Sequence, residues 1–292
     1  MISGLVIVDK PSDWTSHDVV GRLRRLANTR KVGHAGTLDP MATGVLVLGI
    51  NRATRLLGHL MLTEKEYEAT VRLGVTTVTD DAEGDETSHT SARHVTDADV
   101  RQALEAFVGE IQQVPSAVSA IKVDGKRSYA RVRAGEEVTL KARAVTVSVL
   151  EVRDVRTVDD VVDVDIRVVC SSGTYIRAIA RDLGAALGVG GHLTALRRTR
   201  VGMFGLDDAH TLDQLEAELS IVPIDDAARR TFMPYTLTEE QAERVRHGRS
   251  IADIVLPSEG VPHAMFAPDG EFLALYEQDI GAIKALAVFA DR

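Results

Sequence analysis

Residues 33–49 read "GHAGTLDPMATGVLVLG". A glycine-bearing loop presents Asp39 directly before Pro40 and then runs into a continuous apolar segment. Proline fixes its own φ and keeps the preceding residue out of the helical region, so Asp39 reads first as the opening of a turn. The apolar run behind it, too short for a helix and bounded by glycine, reads as a buried strand. The open point is whether the carboxylate does more than turn the chain.

Outward from this loop the chain alternates strands and helices. "GLVIVDKP" reads as a buried strand ended by Pro11, and "TSHDVVGRLRRLA" as a helix. Thr15 and Asp18 form a capping-box pattern there, and Val19, Leu23 and Leu26 keep helical spacing. In "YEATVRLG", Tyr67, Ala69, Val71 and Leu73 alternate with the period of a half-buried strand. Residues 75–95 are polar, acidic and aperiodic, which predicts a mobile loop or an insertion. A capped helix over "TDADVRQALEAFVGE", two alternating strands "VTVSVLEV" and "VVDVDIRVV", and a helix after Gly173 follow. From about residue 233 the character shifts to one short acidic helix and three strands, two of them around the turn "PDG".

The chain of 292 residues carries a net charge of −9, which as an average disfavours a polyanionic partner. The average misleads, because residues 205–292 hold 17 acidic and 7 basic side chains and the remainder is close to neutral. Within that remainder "GRLRRLANTRK", "KVDGKRSYARVR" and "LRRTR" are locally basic, as a polyanion-binding face or as solvated helix faces would be. No signal peptide and no apolar stretch of membrane-spanning length is evident, and a single cysteine, Cys170, excludes an internal disulfide. A reducing cytoplasm is the expected compartment, with Cys170 as a small buried hydrophobe.

Most chemistries fail on spacing. Gly33 and Gly36 give G-x-x-G, which lacks the spacing of a dinucleotide fingerprint and the Gly-Lys-Ser/Thr ending of a phosphate loop. "DDAEGDE" lacks the alternating ligands of a calcium loop. The nine histidines show no H-x-x-x-H spacing, and G-x-S-x-G is absent. A carboxylate pair, Asp9 with Asp39, stays open. So does a lone carboxylate acting on RNA, which needs a cation to hold it ionised, an aromatic to receive the base, and a basic surface for the backbone. Arg177 and Tyr67 fit the first two needs, and equally fit a surface ion pair and an ordinary core aromatic.

The stretch "GHAGTLDPMATGVLVLG" closely resembles the signature of the TruB family of bacterial tRNA pseudouridine synthases. Five further segments resemble that family in order: "VDKPSDWTSHDVV", "EYEATVRLG", "VPSAVSAIKVDGKRSYARVRAG", "SSGTYIRAIARDLG" and "HLTALRRTRVGMF". The resemblance implies a mixed α/β (α+β) catalytic domain over residues 1–232, built around a large, mostly antiparallel sheet. It implies a small PUA-like, RNA-binding β-barrel over residues 233–292. Asp39 is then the catalytic carboxylate. Tyr67 lies against the target base and shares in proton removal, and Arg177 pairs with Asp39. Leu196, Tyr175, His34 and Lys10 contact the substrate, and Lys122, Lys126, Arg197 and Arg198 face RNA.

The implied reaction is isomerisation of uridine 55 in the T-arm loop of tRNA, with the uracil detached from C1′, rotated and rejoined through C5. No cofactor and no metal is implied, and the expected partner of a monomeric chain is tRNA. Two departures from the family pattern stand out: Asp13 where a glycine is usual, and Val78 between Thr77 and Thr79. Rival readings are an RNA-binding or RNA-folding module without catalysis, and a synthase acting on another RNA.

Overall fold

The computed structural model describes residues 2–116, 122–123, 126–127, 140–249, 251, 254–280 and 282–290. In chain order the strands are β1 (Gly4–Lys10), β2 (Val32–His34), β3 (Thr43–Ile50), β4 (Lys65–Leu73), β5 (Val75–Thr77), β6 (Glu86–His89), β7 (Gly109–Gln113), β8 (Lys122–Val123) and β9 (Lys126–Arg127). They continue with β10 (Arg143–Val158), β11 (Val161–Cys170), β12 (Gly191–Val201), β13 (Phe204–Gly205), β14 (Val222–Pro223), β15 (Met233–Thr236), β16 (His263–Phe266), β17 (Phe272–Asp279) and β18 (Ala282–Val288). The helices are α1 (Ser16–Leu26), α2 (Leu57–Met61), α3 (Asp97–Leu104), α4 (Ile176–Ala186), α5 (Leu212–Ala217), α6 (Ile224–Thr231) and α7 (Glu239–Arg246).

Among the described residues a ten-stranded sheet runs β14-β1-β3-β12-β4-β11-β10-β7, with β2 on β3 and β13 on β12. Its pairings are antiparallel except for a short parallel contact of β3 with β12, so the mostly antiparallel sheet expected from the resemblance is present. Along β4, Lys65, Tyr67, Ala69, Val71 and Leu73 are buried in strict alternation. β1 has no such alternation because both of its faces are covered. Val6 and Val8 enter a core with Val19 and Leu23 of α1 and Ile179 and Leu183 of α4. Leu5 and Ile7 enter a second core beneath α2 and α6. The capping box of α1 forms as its spacing predicts, with Thr15 and Asp18 exchanging both bonds.

The C-terminal strands form a separate sheet in the order β15-β16-β17-β18. It has its own core around Leu237, Val245, Met265 and Leu273. It also contributes Phe266, Phe272 and Phe289 to the second core of the large sheet. Arg52 and Arg55 add bonds from Nη1 to the carbonyls of Phe289 (2.8 Å) and Val288 (2.6 Å). The Phe272 ring, 2% exposed, lies 4.8 Å from Phe289 and 5.6 Å from Phe266. Phe272→Ala is therefore expected to cost about 3–5 kcal/mol, read as a lower midpoint of denaturant unfolding for the whole chain. A loss confined to the C-terminal residues would contradict the shared core. No helix among the described residues is long and apolar enough to cross a membrane.

Candidate active site

Asp39 sits on the connection from β2 to β3. Ala42 N donates to Asp39 O at 3.1 Å, which closes a turn over Pro40 and Met41. The turn reading of the Asp-Pro pair is thus correct for the backbone. Three side chains from elsewhere hold that turn. Ser16 Oγ accepts from Leu38 N at 2.9 Å and donates to Leu38 O at 3.1 Å. Lys10, 0% exposed, donates from Nζ to Pro40 O (3.0 Å), Trp14 O (2.6 Å) and Pro11 O (2.9 Å). Arg198, 1% exposed, donates from Nε to Val45 O (2.7 Å), from Nη2 to Gly36 O (3.1 Å) and from Nη1 to Thr37 O (3.3 Å).

Gly44 lets β3 come this close to Arg198. Its φ is +97°, and a Cβ there would stand 2.2 Å from Arg198 O.

These contacts show how three of the expected site residues are held. Lys10 and Arg198 are buried; their ammonium and guanidinium must spend donors on carbonyls, and they do so under the loop, while Arg198 also lines the cavity onto which Asp39 opens. Burial lowers the Lys10 ammonium to about 8, with the Asp39 carboxylate opposing the shift. Arg197 donates from Nη2 and Nη1 to the two carboxylate oxygens of Asp9, at 2.7 and 3.0 Å. That pair lines a separate cavity of about 410 Å³ with Trp14 and Thr43. Asp9 is thus engaged on this cavity, whereas Asp39 opens onto another. Lys122 and Lys126 lie on the β8–β9 ribbon, and their side chains fall outside the described residues.

Asp39 opens onto a cavity of about 270 Å³ between its loop, β4, β12 and the start of α4. Tyr67, Arg177, Leu196 and Tyr175 line it with Asp39, as does Lys65. Tyr175 stands just before α4, and its backbone is clamped by Gln113, which accepts from Tyr175 N at 2.8 Å and donates to Tyr175 O at 3.0 Å. His34 is not among the lining residues. It lies on β2 with its ring edge-on to His17 at 5.9 Å, and its buried Nδ1 has no partner among the described residues. Burial, with His17 and Arg198 nearby, holds His34 below the ordinary histidine value.

Arg177, in the first turn of α4, directs its guanidinium at two carboxylates. Nε is 3.1 Å from Asp39 Oδ2, and Nη1 is 3.1 Å from Asp81 Oδ2. Nη1 also donates to Thr79 O at 2.9 Å. The fork is therefore shared between Asp39 and Asp81.

Asp81 escaped the sequence reading because it lies in the stretch expected to be a mobile loop. The stretch carries a two-stranded ribbon and a buried turn. β5 pairs with β6, Asp81 is 2% exposed, and its Oδ1 accepts from Glu83 N at 3.0 Å and from Thr79 Oγ1. Thr77 Oγ1 donates to Asp81 O at 2.7 Å. Local polar bonds order this segment, and they leave no apolar period to read.

The electrostatics follow from this arrangement. Burial pushes the Asp39 carboxyl above its ordinary value; Arg177 and Lys10 pull it down, and Asp81 pushes it further up. Its side chain remains 35% exposed, toward the cavity, whereas that of Arg177 is 6% exposed. Burial also raises the Tyr67 phenol, so it stays neutral at ordinary pH. Cys170, buried at the end of β11, is pushed up to about 11 and fits the inert hydrophobe expected. Asp13 has a φ of +67°, the left-handed conformation that explains why glycine suits that position and why Asp is tolerated. Arg198→Met should leave two loop carbonyls and that of Val45 without this donor and lower stability by about 2 kcal/mol or more, measured by denaturant unfolding. Unchanged stability would mean the loop holds itself.

Asp39, steadied by the buried Arg177 guanidinium, thus faces a cavity over the central strands of this sheet. The family description "TruB family pseudouridylate synthase (N terminal domain)" matches residues 24–176. "tRNA pseudouridylate synthase B C-terminal domain" matches residues 177–259, and "tRNA Pseudouridine synthase II, C terminal" matches residues 232–290. The chain belongs to the TruB family. It is 61% identical to the tRNA pseudouridine synthase B of Streptomyces griseus over 98% of this chain and 97% of that one. It is 57% identical to that of Thermobifida fusca over 99% of both.

Among solved structures it resembles a protein in an H/ACA RNP bound to a substrate RNA containing 2′-deoxyuridine. The TM-score is 0.76 at 26% identity, over 99% of this chain and 86% of that one. It also resembles a chain of a Cbf5-Nop10-Gar1 complex, with a TM-score of 0.75 at 28% identity, over 99% and 85% of the two chains.

Proposed function

We propose that this chain converts uridine 55 in the T-arm loop of tRNA to pseudouridine, with Asp39 as the carboxylate that acts on a flipped-out nucleotide. The observation that supports it most is the placement of Asp39: exposed to the cavity, turned by Pro40, and 3.1 Å from the Arg177 Nε. In this reaction the bond from C1′ to N1 of uracil breaks and a bond from C1′ to C5 forms. C5 gives up its hydrogen and N1 gains one, so no outside reagent is consumed. An ionised carboxylate supplies the negative charge the step requires, and the Arg177 cation keeps it ionised once the nucleotide displaces water.

Tyr67, neutral and buried, presents a ring to the base and a hydroxyl for proton handling. Leu196 and Ile176 wall the cavity with apolar surface, which keeps the detached uracil in place and water away. In this reading residues 1–232 carry the chemistry and residues 233–292 assist RNA binding. It also implies a cytoplasmic enzyme acting as a monomer. The test is incubation of the purified chain with unmodified tRNA transcript and no additives, followed by mapping of the product. Pseudouridine at position 55 is expected; its absence, or its appearance only elsewhere, would overturn the proposal.

A further inference from the structure

Many arginines of this protein are engaged by acids. Arg22 pairs with Glu216, Arg72 with Asp163, Arg167 with Glu66, Arg181 with Asp80 and Arg200 with Glu64. Four cations near the end of α1 behave otherwise. Arg24, Arg25, Arg30 and Lys31 are exposed, and none makes an ion pair among the described residues. Their one side-chain hydrogen bond among those residues runs from Arg24 Nη2 to Val32 O, at 3.4 Å. Arg24 and Arg25 complement the C-terminal end of the helix dipole, which accounts for two of the four. Nothing among the described residues accounts for Arg30 and Lys31.

The backbone beneath these charges is fixed. Thr29 N donates to Arg24 O at 3.1 Å and Asn28 N to Arg25 O at 3.2 Å, with Asn28 in the left-handed region at φ +46°. Asn51 N donates to Lys31 O at 2.8 Å, and Thr29 Oγ1 to Asn51 Oδ1 at 2.8 Å. Four cations are therefore displayed on the last turn of α1 and the hydrogen-bonded connection after it, in a protein of net charge −9. Such a display is preorganised for a polyanion and lowers the cost of ordering on binding.

Their position relates them to the cavity. Lys31 is three residues before His34 along β2, about 10 Å at the rise of a strand. Arg24 is seven residues along α1 from His17, about 10 Å at the rise of a helix. The His17 and His34 rings are 5.9 Å apart, so both routes lead from one end of the cluster to the same point beside the Asp39 loop. The cluster thus sits on the two elements that border the Asp39 loop.

We infer that Arg24, Arg25, Arg30 and Lys31 form a phosphate-binding surface for the backbone of the substrate RNA, outside the flipped nucleotide. This rests on the RNA-modifying function proposed above. The phosphates can come from the T-arm itself or from another part of the folded tRNA, and both present the same chemistry. Each phosphate neutralised by these cations releases condensed counterions, so affinity should fall steeply with salt.

The test compares the full chain with two variants, Arg24→Gln/Arg25→Gln/Arg30→Gln/Lys31→Gln and the same four positions changed to Glu. All four side chains are exposed, and melting curves check that the fold is retained. The Gln variant serves if Glu at the helix end unfolds it. Dissociation constants for unmodified tRNA and for an isolated T-arm hairpin are measured against salt concentration.

The Gln variant should bind tRNA at least about tenfold more weakly. The slope of log affinity against log salt should be shallower by about 0.7–0.9 for each phosphate that is no longer neutralised. The single-turnover rate at saturating RNA should stay near that of the unmodified chain. Weakening with both RNAs places the phosphates in the T-arm, and weakening with tRNA alone places them beyond it. Unchanged affinity and slope for both RNAs would overturn the inference, even if the unmodified chain forms pseudouridine normally. Failure of the unmodified chain to form any would instead overturn the function on which the inference rests.

Discussion

Asp39→Asn is expected to bind tRNA with nearly unchanged affinity and to form no detectable pseudouridine, a loss of at least about 10⁴-fold, or about 5.5 kcal/mol in the barrier. The amide matches the carboxylate in size, and its backbone turn over Pro40 needs only the Asp39 carbonyl, so the loop should keep its shape. What is removed is the charge. The same variant should melt no lower than the unmodified chain at neutral pH.

Burial raises the Asp39 carboxyl in the folded state, so folding favours the protonated form there. The contribution of Asp39 to stability is therefore greatest at low pH and declines as pH rises through the window between its unfolded and folded values. Activity runs the other way. It needs the ionised form and should fall on acidification at a higher pH than an ordinary aspartate would show.

Arg177→Lys should cost at least about a hundredfold in single-turnover rate, roughly 2.7 kcal/mol. An ammonium keeps the positive charge but is a single point on a flexible stem, whereas the guanidinium meets Asp39, Asp81 and the Thr79 carbonyl at once. A lysine that settles on Asp81, the more buried carboxylate, leaves Asp39 without its partner. The acid limb of the rate profile should then move to higher pH, because the cation that pulls the Asp39 value down is no longer fixed beside it. A near-normal rate with an unmoved acid limb would show that charge alone suffices and that the shared fork is incidental.

The parts of this site that local patterns encode are readable from the sequence. The Asp39-Pro40 turn, the Thr15–Asp18 capping box and the alternation through Tyr67 are all set by neighbours a few residues apart. β12 is not readable in this way. Register shifts between Leu193 and Ala195 and between Arg198 and Arg200 break its period, so "LRRTR" looks like a basic patch when it is the central strand beside Asp39.

The same stretch shows why the sign of a charge is not its role. Arg197 is taken up by Asp9, 188 positions away, and Arg198 is sunk into loop carbonyls. Lys10 likewise carries its charge inward. Asp81 is hidden for a related reason: its partner Arg177 comes from α4, and nothing near it in the sequence signals that contact.

Tritium release tests the chemical role of Asp39 most directly. Rejoining uracil through C5 must expel the C5 hydrogen, so tRNA transcript prepared with 5-tritiated uridine follows the chemical step itself. Under single-turnover conditions, with RNA fully bound as judged by filter retention, the unmodified chain should release one tritium per tRNA and Asp39→Asn none. Release by Asp39→Asn at a rate near that of the unmodified chain, with deamidation excluded, would contradict the role assigned to this carboxylate.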